Sequence, residues 1–174
     1  MITEEYKNSL KHHLKNLGIS ENFIDSCKMP IQFETNNLIS AGTDIFGRDQ
    51  TMLPQTLAAW QGMQDAARTE NIELQLVSAF RSIAYQCEII QRKLDKGAVV
   101  EEILKVNAAP GFSEHHTGRA LDLTTPNCET LHESFELTTA FRWLQANADQ
   151  FGFEMSYPQN NPWGITYEPW HWAW

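Results

Sequence analysis

The sequence predicts an α+β fold in which helices pack against a small antiparallel sheet. Helix-like and strand-like segments are interspersed irregularly, with helices mostly first and strands mostly later. Residues 72–80 and 119–125 carry apolar side chains at every second position, which is the period of a strand with one buried face. A doubly wound parallel sheet would instead need strands and helices in regular alternation, so the antiparallel arrangement is favoured.

Six segments are predicted to be helical from the spacing of their apolar residues and from their end signals. Pro54 begins the third helix, because proline suits the first helical position. Ser20 and Ser82 are candidate N-caps, and Gly152 ends the last helix. The predicted helices span residues 3–17, 20–28, 54–70, 82–95, 99–107 and 137–151.

Four segments are predicted to be strands, and turn-rich chain lies elsewhere. Residues 31–52 contain the turn-forming runs ETNN, AGTD and FGRD, so irregular structure is expected there. The loop PQNNPWGIT separates the last two strand segments. The predicted strands span residues 72–80, 119–125, 152–158 and 167–174.

The composition describes one acidic globular domain. The chain has 174 residues, 13 of them basic and 22 acidic, for a formal net charge of −9. This charge argues against nucleic acid or an anionic membrane as a partner. Three widely separated cysteines without a CxxC pair indicate neither a disulfide framework nor a thiolate zinc site. No apolar run approaches the roughly 20 residues that span a bilayer.

The expected compartment follows from the start of the chain as written. MITEEYKNSLKHHLKNLGIS shows no charged-then-apolar pattern of a signal peptide. We therefore expect a cytoplasmic protein, or a periplasmic or secreted one if a leader has been removed.

Two polar clusters stand at the edges of predicted strands. In SEHHTGRALD two adjacent histidines precede the strand that carries Asp122, and in EPWH a glutamate, Glu168, comes three residues before His171. Two histidines and one carboxylate form a ligand set that zinc accepts in catalytic sites. Spacing alone decides neither between His115 and His116 as the ligand nor whether a metal is bound at all.

The second cluster suggests hydrolysis assisted by a metal. A carboxylate such as Glu168 beside a metal ligand can take a proton from water and return it to a leaving amine. A cation would stabilise the oxyanion of such a reaction, and Arg81, just after a predicted strand, is the candidate. Taken singly, Arg81 is equally consistent with a surface ion pair and Glu168 with a solvated acid.

Three motifs resemble those of the zinc D-alanyl-D-alanine carboxypeptidases and dipeptidases. These VanY-like enzymes share a fold with hedgehog-type and lysostaphin-type zinc proteins. SEHHTGRALD is similar to S-x-H-x-x-G-x-A-x-D, and EPWH is similar to E-x-W-H. SAFRS followed by Gln86 is similar to S-x-Y-R-S…Q, with Phe80 in place of the usual tyrosine. The motifs occur in the family's order over roughly residues 40–174.

The resemblance implies a Zn²⁺ site and a role for each of seven residues. The implied metal ligands are His115, Asp122 and His171. Glu168 would act as general base and acid, and Arg81 would stabilise the oxyanion. The implied substrate contacts are Ser113 and Gln86. His116 is then expected at the rim of the site or as a neighbour that supports a ligand.

The resemblance also implies the reaction and its substrate. We expect a zinc metallopeptidase that removes the C-terminal D-alanine from a peptidoglycan stem peptide or muropeptide by means of metal-activated water. Two alternative activities remain, because a D-alanyl-D-alanine dipeptidase and an L-alanyl-D-glutamate endopeptidase would share the metal centre. A third alternative is a non-catalytic, zinc-containing muropeptide-binding module, although such a module would not need Glu168.

Two regions depart from the family's pattern. Residues 1–35 have no counterpart and are expected to form a helical extension to a single compact carboxypeptidase-like domain of residues 36–174. Ser156 stands where the family often has a basic residue before Tyr-Pro, which bears on how the carboxylate end of the substrate is recognised.

Overall fold

The computed structural model describes residues 2–174 and contains six α-helices and six β-strands within that range. The helices are α1 (Glu4–Asn16), α2 (Phe23–Ser26), α3 (Pro54–Thr69), α4 (Ile83–Asp95), α5 (Val100–Val106) and α6 (Thr139–Asn147). The strands are β1 (Ile39–Thr43), β2 (Asp49–Met52), β3 (Gln75–Ser78), β4 (Ala120–Thr124), β5 (Glu154–Met155) and β6 (His171–Ala173). None of the helices in the described part of the chain has the length and apolar character needed to cross a bilayer.

The main sheet has the strand order β3-β4-β6-β5, and all its pairs are antiparallel. This confirms the predicted α+β class with a small antiparallel sheet. The central strand β4 is buried on both faces, whereas its alternating sequence predicts one buried face. Asp122 of β4 stands opposite Ser78 of β3 and opposite His171 of β6, so the register joins the two polar clusters of the sequence.

Two hydrophobic clusters support the sheet. The larger one joins α3 and α6 to the strands through residues such as Trp60, Leu144 and Trp172. The second joins α1 to α4 and α5, with Leu10 and Leu14 of α1 completely buried in it. The boundary at residue 35 stays a prediction, and α1 lies in the same apolar cluster as helices on the other side of that boundary.

Residues 31–52, expected to be irregular, contain the hairpin of β1 and β2. Its strands are short and mostly exposed, and their register shifts between Ser40 and Thr43. Such strands lack apolar alternation, which explains why the sequence shows only the turns. Asp44 fixes the connecting turn, because its Oδ1 accepts hydrogen bonds from the amides of Phe46 (2.8 Å) and Arg48 (3.0 Å).

The ends of several elements differ from the predictions. The predicted helix 20–28 is reduced to the single turn of α2, and Ser20 Oγ accepts from the amide of Asn22 (3.3 Å) instead of capping a helix. Pro54 and Ser82 do begin their helices, and Gly152, with φ of 82°, ends the segment that starts with α6. The strand predicted for 167–174 is confined to His171–Ala173, after a proline that has no amide to donate.

Candidate metal centre

Three buried side chains from three separate segments meet in one group. His115 lies in the 3₁₀ turn Glu114–Thr117, Asp122 in β4 and His171 in β6. One ligand atom from each lies within 4.8 Å of the others. Asp122 Oδ1 is 3.3 Å from His115 Nε2 and 3.1 Å from His171 Nδ1. The structure therefore brings together the three residues predicted as metal ligands.

Strand register and a tight turn produce this grouping. Asp122 and His171 are directly opposite each other on neighbouring antiparallel strands, a position in which side chains share one face. The 3₁₀ turn ends at Gly118, whose φ is 70°. A Cβ on Gly118 would lie 3.2 Å from the backbone nitrogen of Leu53, so glycine suits both the conformation and the close approach. The turn places His115 beside the start of β4.

The donor atoms fit a divalent metal ion. His115 Nδ1 donates a hydrogen bond to the carbonyl oxygen of Ala79, so Nε2 carries the lone pair. That Nε2 is buried and forms no hydrogen bond with any residue of the described chain. A buried polar atom without a partner is costly, and a metal ion would satisfy it. Two imidazole nitrogens and one carboxylate match the ligand set of catalytic zinc.

The charges of the group are strongly coupled. Burial and the charge of Arg81 lower the pKa of His115 to about 4, which favours the neutral, ligating form. Burial would also lower the pKa of His171, but hydrogen bonds to Asp122 and Glu114 raise it to about 10. Burial would raise the pKa of Asp122, yet both histidines and Arg81 hold it well below its usual value. The carboxylate is therefore ionised and ready to bind a cation.

Glu168 stands next to this group as a second, chemically different carboxyl. Its Oε2 lies 4.0 Å from His171 Nδ1, and its side chain is 12% exposed. Burial, reinforced by the negative charges of Asp122 and Glu114, raises the pKa of Glu168 to about 7 in spite of the positive charges nearby. A carboxyl that titrates near neutrality is suited to accepting a proton and giving it back.

Arg81 supplies a cation with unused hydrogen-bonding capacity. Its Nη2 is 3.5 Å from Asp122 Oδ2 and its Nη1 is 3.5 Å from Gln86 Oε1. Its Nε is buried and has no hydrogen-bond partner among residues 2–174. Both contacts are long for charge-assisted hydrogen bonds, so the guanidinium can turn its donors toward a developing negative charge.

One narrow cavity of about 30 Å³ joins these groups. Six of the seven predicted site residues line it: Arg81, Gln86, Ser113, His115, Glu168 and His171. Asp122 belongs to the same group of ligand atoms. Gln86 also donates to the carbonyl of Ala108 (2.8 Å), so its amide is already partly engaged. The roles of Ser113 and Gln86 toward substrate stay predictions.

Two neighbours of the ligands have contacts that the sequence does not indicate. Glu114 Oε2 lies 2.8 Å from His171 Nε2. Burial would raise the pKa of Glu114, but hydrogen bonds with His171 and Ser156 hold it below its usual value. His116 is completely buried and links the carbonyl of Arg81 (2.6 Å) to the amide of Gly111 (3.1 Å). A place at the rim is therefore wrong for His116, which instead supports the backbone at Arg81.

Comparisons with known proteins agree with this geometry. The profile of the VanY family, described as D-alanyl-D-alanine carboxypeptidase, matches residues 49–174. YodJ of Bacillus subtilis (strain 168), which is named as a carboxypeptidase, is 40% identical over 118 residues, covering 65% of this chain and 42% of YodJ. The present chain thus spans less than half the length of that relative.

Two solved structures share the fold and align with a larger part of this chain than YodJ does. The alignment with the LdcB LD-carboxypeptidase covers 83% of this chain and 71% of the LdcB chain, with a TM-score of 0.73 and 31% identity. The alignment with VanYB, solved in complex with D-alanine-D-alanine, covers 83% of this chain and 80% of the VanYB chain, with a TM-score of 0.64 and 27% identity. Because the VanY profile matches most of its length, the chain belongs to the VanY family of D-alanyl-D-alanine carboxypeptidases.

Proposed function

We propose that this chain is a zinc-dependent carboxypeptidase that removes the C-terminal D-alanine from peptidoglycan stem peptides. The observation that carries the proposal is that the His-Asp-His group, the buried carboxyl of Glu168 and the guanidinium of Arg81 lie together at one cavity, which all of them but Asp122 line. Membership of the VanY family supports amide hydrolysis at D-alanine. The complex of VanYB with D-alanine-D-alanine supports the choice of substrate.

The zinc ligands in this proposal are His115 Nε2, His171 Nδ1 and the carboxylate of Asp122. Bound Zn²⁺ supplies Lewis acidity, which lowers the pKa of water and polarises the scissile carbonyl. The sheet register and the 3₁₀ turn hold the three donors in place before any ion arrives, which reduces the reorganisation that binding requires.

The chain's own residues move the proton and stabilise the charge. Glu168 accepts a proton from the attacking water as the new C–O bond forms. It then delivers that proton to the amide nitrogen as the C–N bond breaks, so D-alanine leaves as the amine. The guanidinium of Arg81 donates hydrogen bonds to the oxygen that gains negative charge, an interaction that is stronger in the transition state than in the bound substrate.

The first test is a product analysis with the zinc-loaded protein. A soluble pentapeptide stem ending in D-alanyl-D-alanine is incubated with it, and the products are identified by mass spectrometry. We expect the loss of one alanine. An intact stem together with hydrolysis of free D-alanyl-D-alanine in a parallel reaction would indicate a dipeptidase, and an internal cut of the stem would indicate an endopeptidase. Turnover of neither the stem nor the free dipeptide would favour the muropeptide-binding module.

The same assay tests the role of Glu168. Glu168→Gln should keep one zinc per chain and lose about 10²–10⁴-fold in kcat, the usual contribution of general acid–base catalysis. Glu88→Gln, an exposed acid on α4, is the matched control and should turn over like the unmodified protein. Full activity of Glu168→Gln would show that another group is the base.

A second candidate reaction is favoured by one comparison. LdcB, named as an LD-carboxypeptidase, shows a higher TM-score and identity to this chain than VanYB does. Cleavage of D-alanine from an L-configured residue would use the same metal centre. Parallel reactions with a tetrapeptide stem and a pentapeptide stem distinguish the two: loss of alanine from the tetrapeptide alone would replace the D,D-assignment by an L,D-assignment.

A further inference from the structure

The two histidines of the metal centre are each fixed through the ring nitrogen that faces away from the group. For His115 this outer nitrogen is Nδ1, and its partner is the backbone carbonyl of Ala79. For His171 it is Nε2, and its partner is the carboxylate of Glu114 at 2.8 Å. The inner nitrogens, His115 Nε2 and His171 Nδ1, both lie within 3.3 Å of Asp122 Oδ1.

The partner of His171 comes from an unexpected place in the sequence. Glu114 directly precedes His115 at the start of the 3₁₀ turn. This short turn therefore carries the ligand His115 and, through Glu114, also contacts the ligand His171. His171 is 57 positions further along the chain. The Glu114 side chain is only 27% exposed, so its contact with His171 is largely shielded from water.

This geometry sets the protonation of the ring. An ionised carboxylate has no proton to donate, so His171 Nε2 carries the proton that lies between it and Glu114. Nδ1, which faces Asp122, is then the nitrogen that would bind a cation once its own proton is displaced. A hydrogen-bonded carboxylate also makes the imidazole a better donor and stops it from rotating.

We propose that Glu114 is a positioning residue that holds His171 as a metal ligand. The inference rests on the proposed zinc site, but not on the peptidase reaction. Nothing in the geometry requires Glu114 to contact the substrate, since its partner is the outer nitrogen of the ring.

The experiment measures zinc affinity by competition with a chromophoric chelator. Loss of such an outer partner weakens metal binding by about 10–100-fold, and this is the effect we expect for Glu114→Ala. Glu114→Gln keeps an acceptor oxygen and loses only the charge, so it should fall between Glu114→Ala and the unmodified protein. Glu133→Ala removes an exposed acid from the same position of another 3₁₀ segment and should leave the affinity unchanged.

Two further readouts separate positioning from a general loss of structure. The visible absorption bands of the Co²⁺-loaded protein should change in Glu114→Ala and recover in Glu114→Gln. The melting temperature of each variant without metal shows whether the fold is intact. If Glu114→Ala does not fold, the Gln variant decides, and unchanged zinc affinity in that variant would overturn the inference.

The outcomes also distinguish this inference from the proposed function. Zinc affinity within twofold of the unmodified protein in a folded Glu114→Ala, or no zinc uptake by the unmodified protein, would refute the role of Glu114. A chain whose zinc affinity depends on Glu114 but that leaves all stem peptides intact would support this inference and refute the proposed reaction.

Discussion

Asp44 is a buried polar residue outside the metal centre whose substitution should destabilise the protein. Its side chain is completely buried and its Oδ2 accepts from Arg48 Nε (2.6 Å) and from Gln50 Nε2 (2.9 Å). Gln50 Oε1 in turn accepts from the amide of Ala79 (2.9 Å). The carboxylate therefore ties the hairpin of β1 and β2 to the segment that follows β3 and leads to the metal centre.

The cost of Asp44→Asn follows from these contacts. The Asn oxygen can still accept from the two backbone amides of the turn, but its NH₂ group would face two donors. Arg48 is half exposed and can turn to water, so its part of the loss is about 1 kcal/mol or less. Leaving the amide of Gln50 without an acceptor costs about 1–3 kcal/mol. We expect about 1–4 kcal/mol in total, or roughly 2–16 °C in Tm for a chain of this size.

The pH dependence gives the prediction its sign. Burial would raise the pKa of Asp44, but hydrogen bonds from Arg48 and Phe46 outweigh it and lower the pKa below 3.8. A lowered pKa in the folded state stabilises the protein above the unfolded-state value and loses that contribution as pH falls through the folded-state value. The difference in the free energy of unfolding between Asp44→Asn and the unmodified protein should be constant from about pH 5 to 8. It should shrink below about pH 4.

Urea unfolding followed by circular dichroism at several pH values is the assay. Asp49→Asn, which removes the same charge from an exposed neighbour, is the control and should stay within about 0.5 kcal/mol of the unmodified protein. A difference for Asp44→Asn below about 0.5 kcal/mol at pH 7, or one that persists unchanged at pH 3, would refute the reasoning.

Two further predictions concern backbone and side-chain contacts near the site. Gly111 has φ of 86° and its added Cβ would lie 2.5 Å from Leu10 Cδ2, whereas Gly47, at φ of 74°, would meet nothing within 4 Å. Gly111→Ala should therefore lose about 2–4 kcal/mol in urea unfolding, against about 1–2 kcal/mol for Gly47→Ala, and equal losses would contradict the packing of α1 at this point. His116→Ala removes the link between Arg81 and Gly111 and should cost about 2–4 kcal/mol. His116→Gln can replace both hydrogen bonds and should recover part of that stability, and a Gln variant no better than Ala would argue against the link.

The short motifs were the most informative part of the sequence. Asp122 and His171 lie on strands whose pairing register the sequence does not reveal, yet the resemblance of the two motifs to those of the zinc D-alanyl-D-alanine carboxypeptidases implies one shared site. The α+β class follows from the order of the elements. Residue chemistry and spacing alone leave the choice between His115 and His116 open, so the resemblance predicts the candidate site.

Long-range contacts were the part that the sequence could not supply. Glu114 stands beside His115 and gives no local sign that its partner is His171, because the contact depends on the pairing of β4 with β6. The hairpin of β1 and β2 was missed for a related reason. Its contacts with distant backbone run through Gln50, which accepts from the amide of Ala79, and through Arg48, which donates to the carbonyl of Val77. Neither contact leaves an apolar pattern in the hairpin sequence.

Hydrogen bonds to the backbone link Arg81 directly to His115 and His116. The amide of Arg81 donates to the carbonyl of His115 (3.2 Å), and the carbonyl of Arg81 accepts from the neighbouring His116 (2.6 Å). The carbonyl of Ala79 accepts from the His115 ring. One ligand and the cation are therefore held together by the same few atoms. A perturbation that loosens the anchor of Ala79 at Gln50 should displace His115 and Arg81 together, while Asp122 and His171 stay on their strands. Such a change would move His115 away from Asp122 and His171 and so weaken metal binding. The distance between Arg81 and His115 would stay the same.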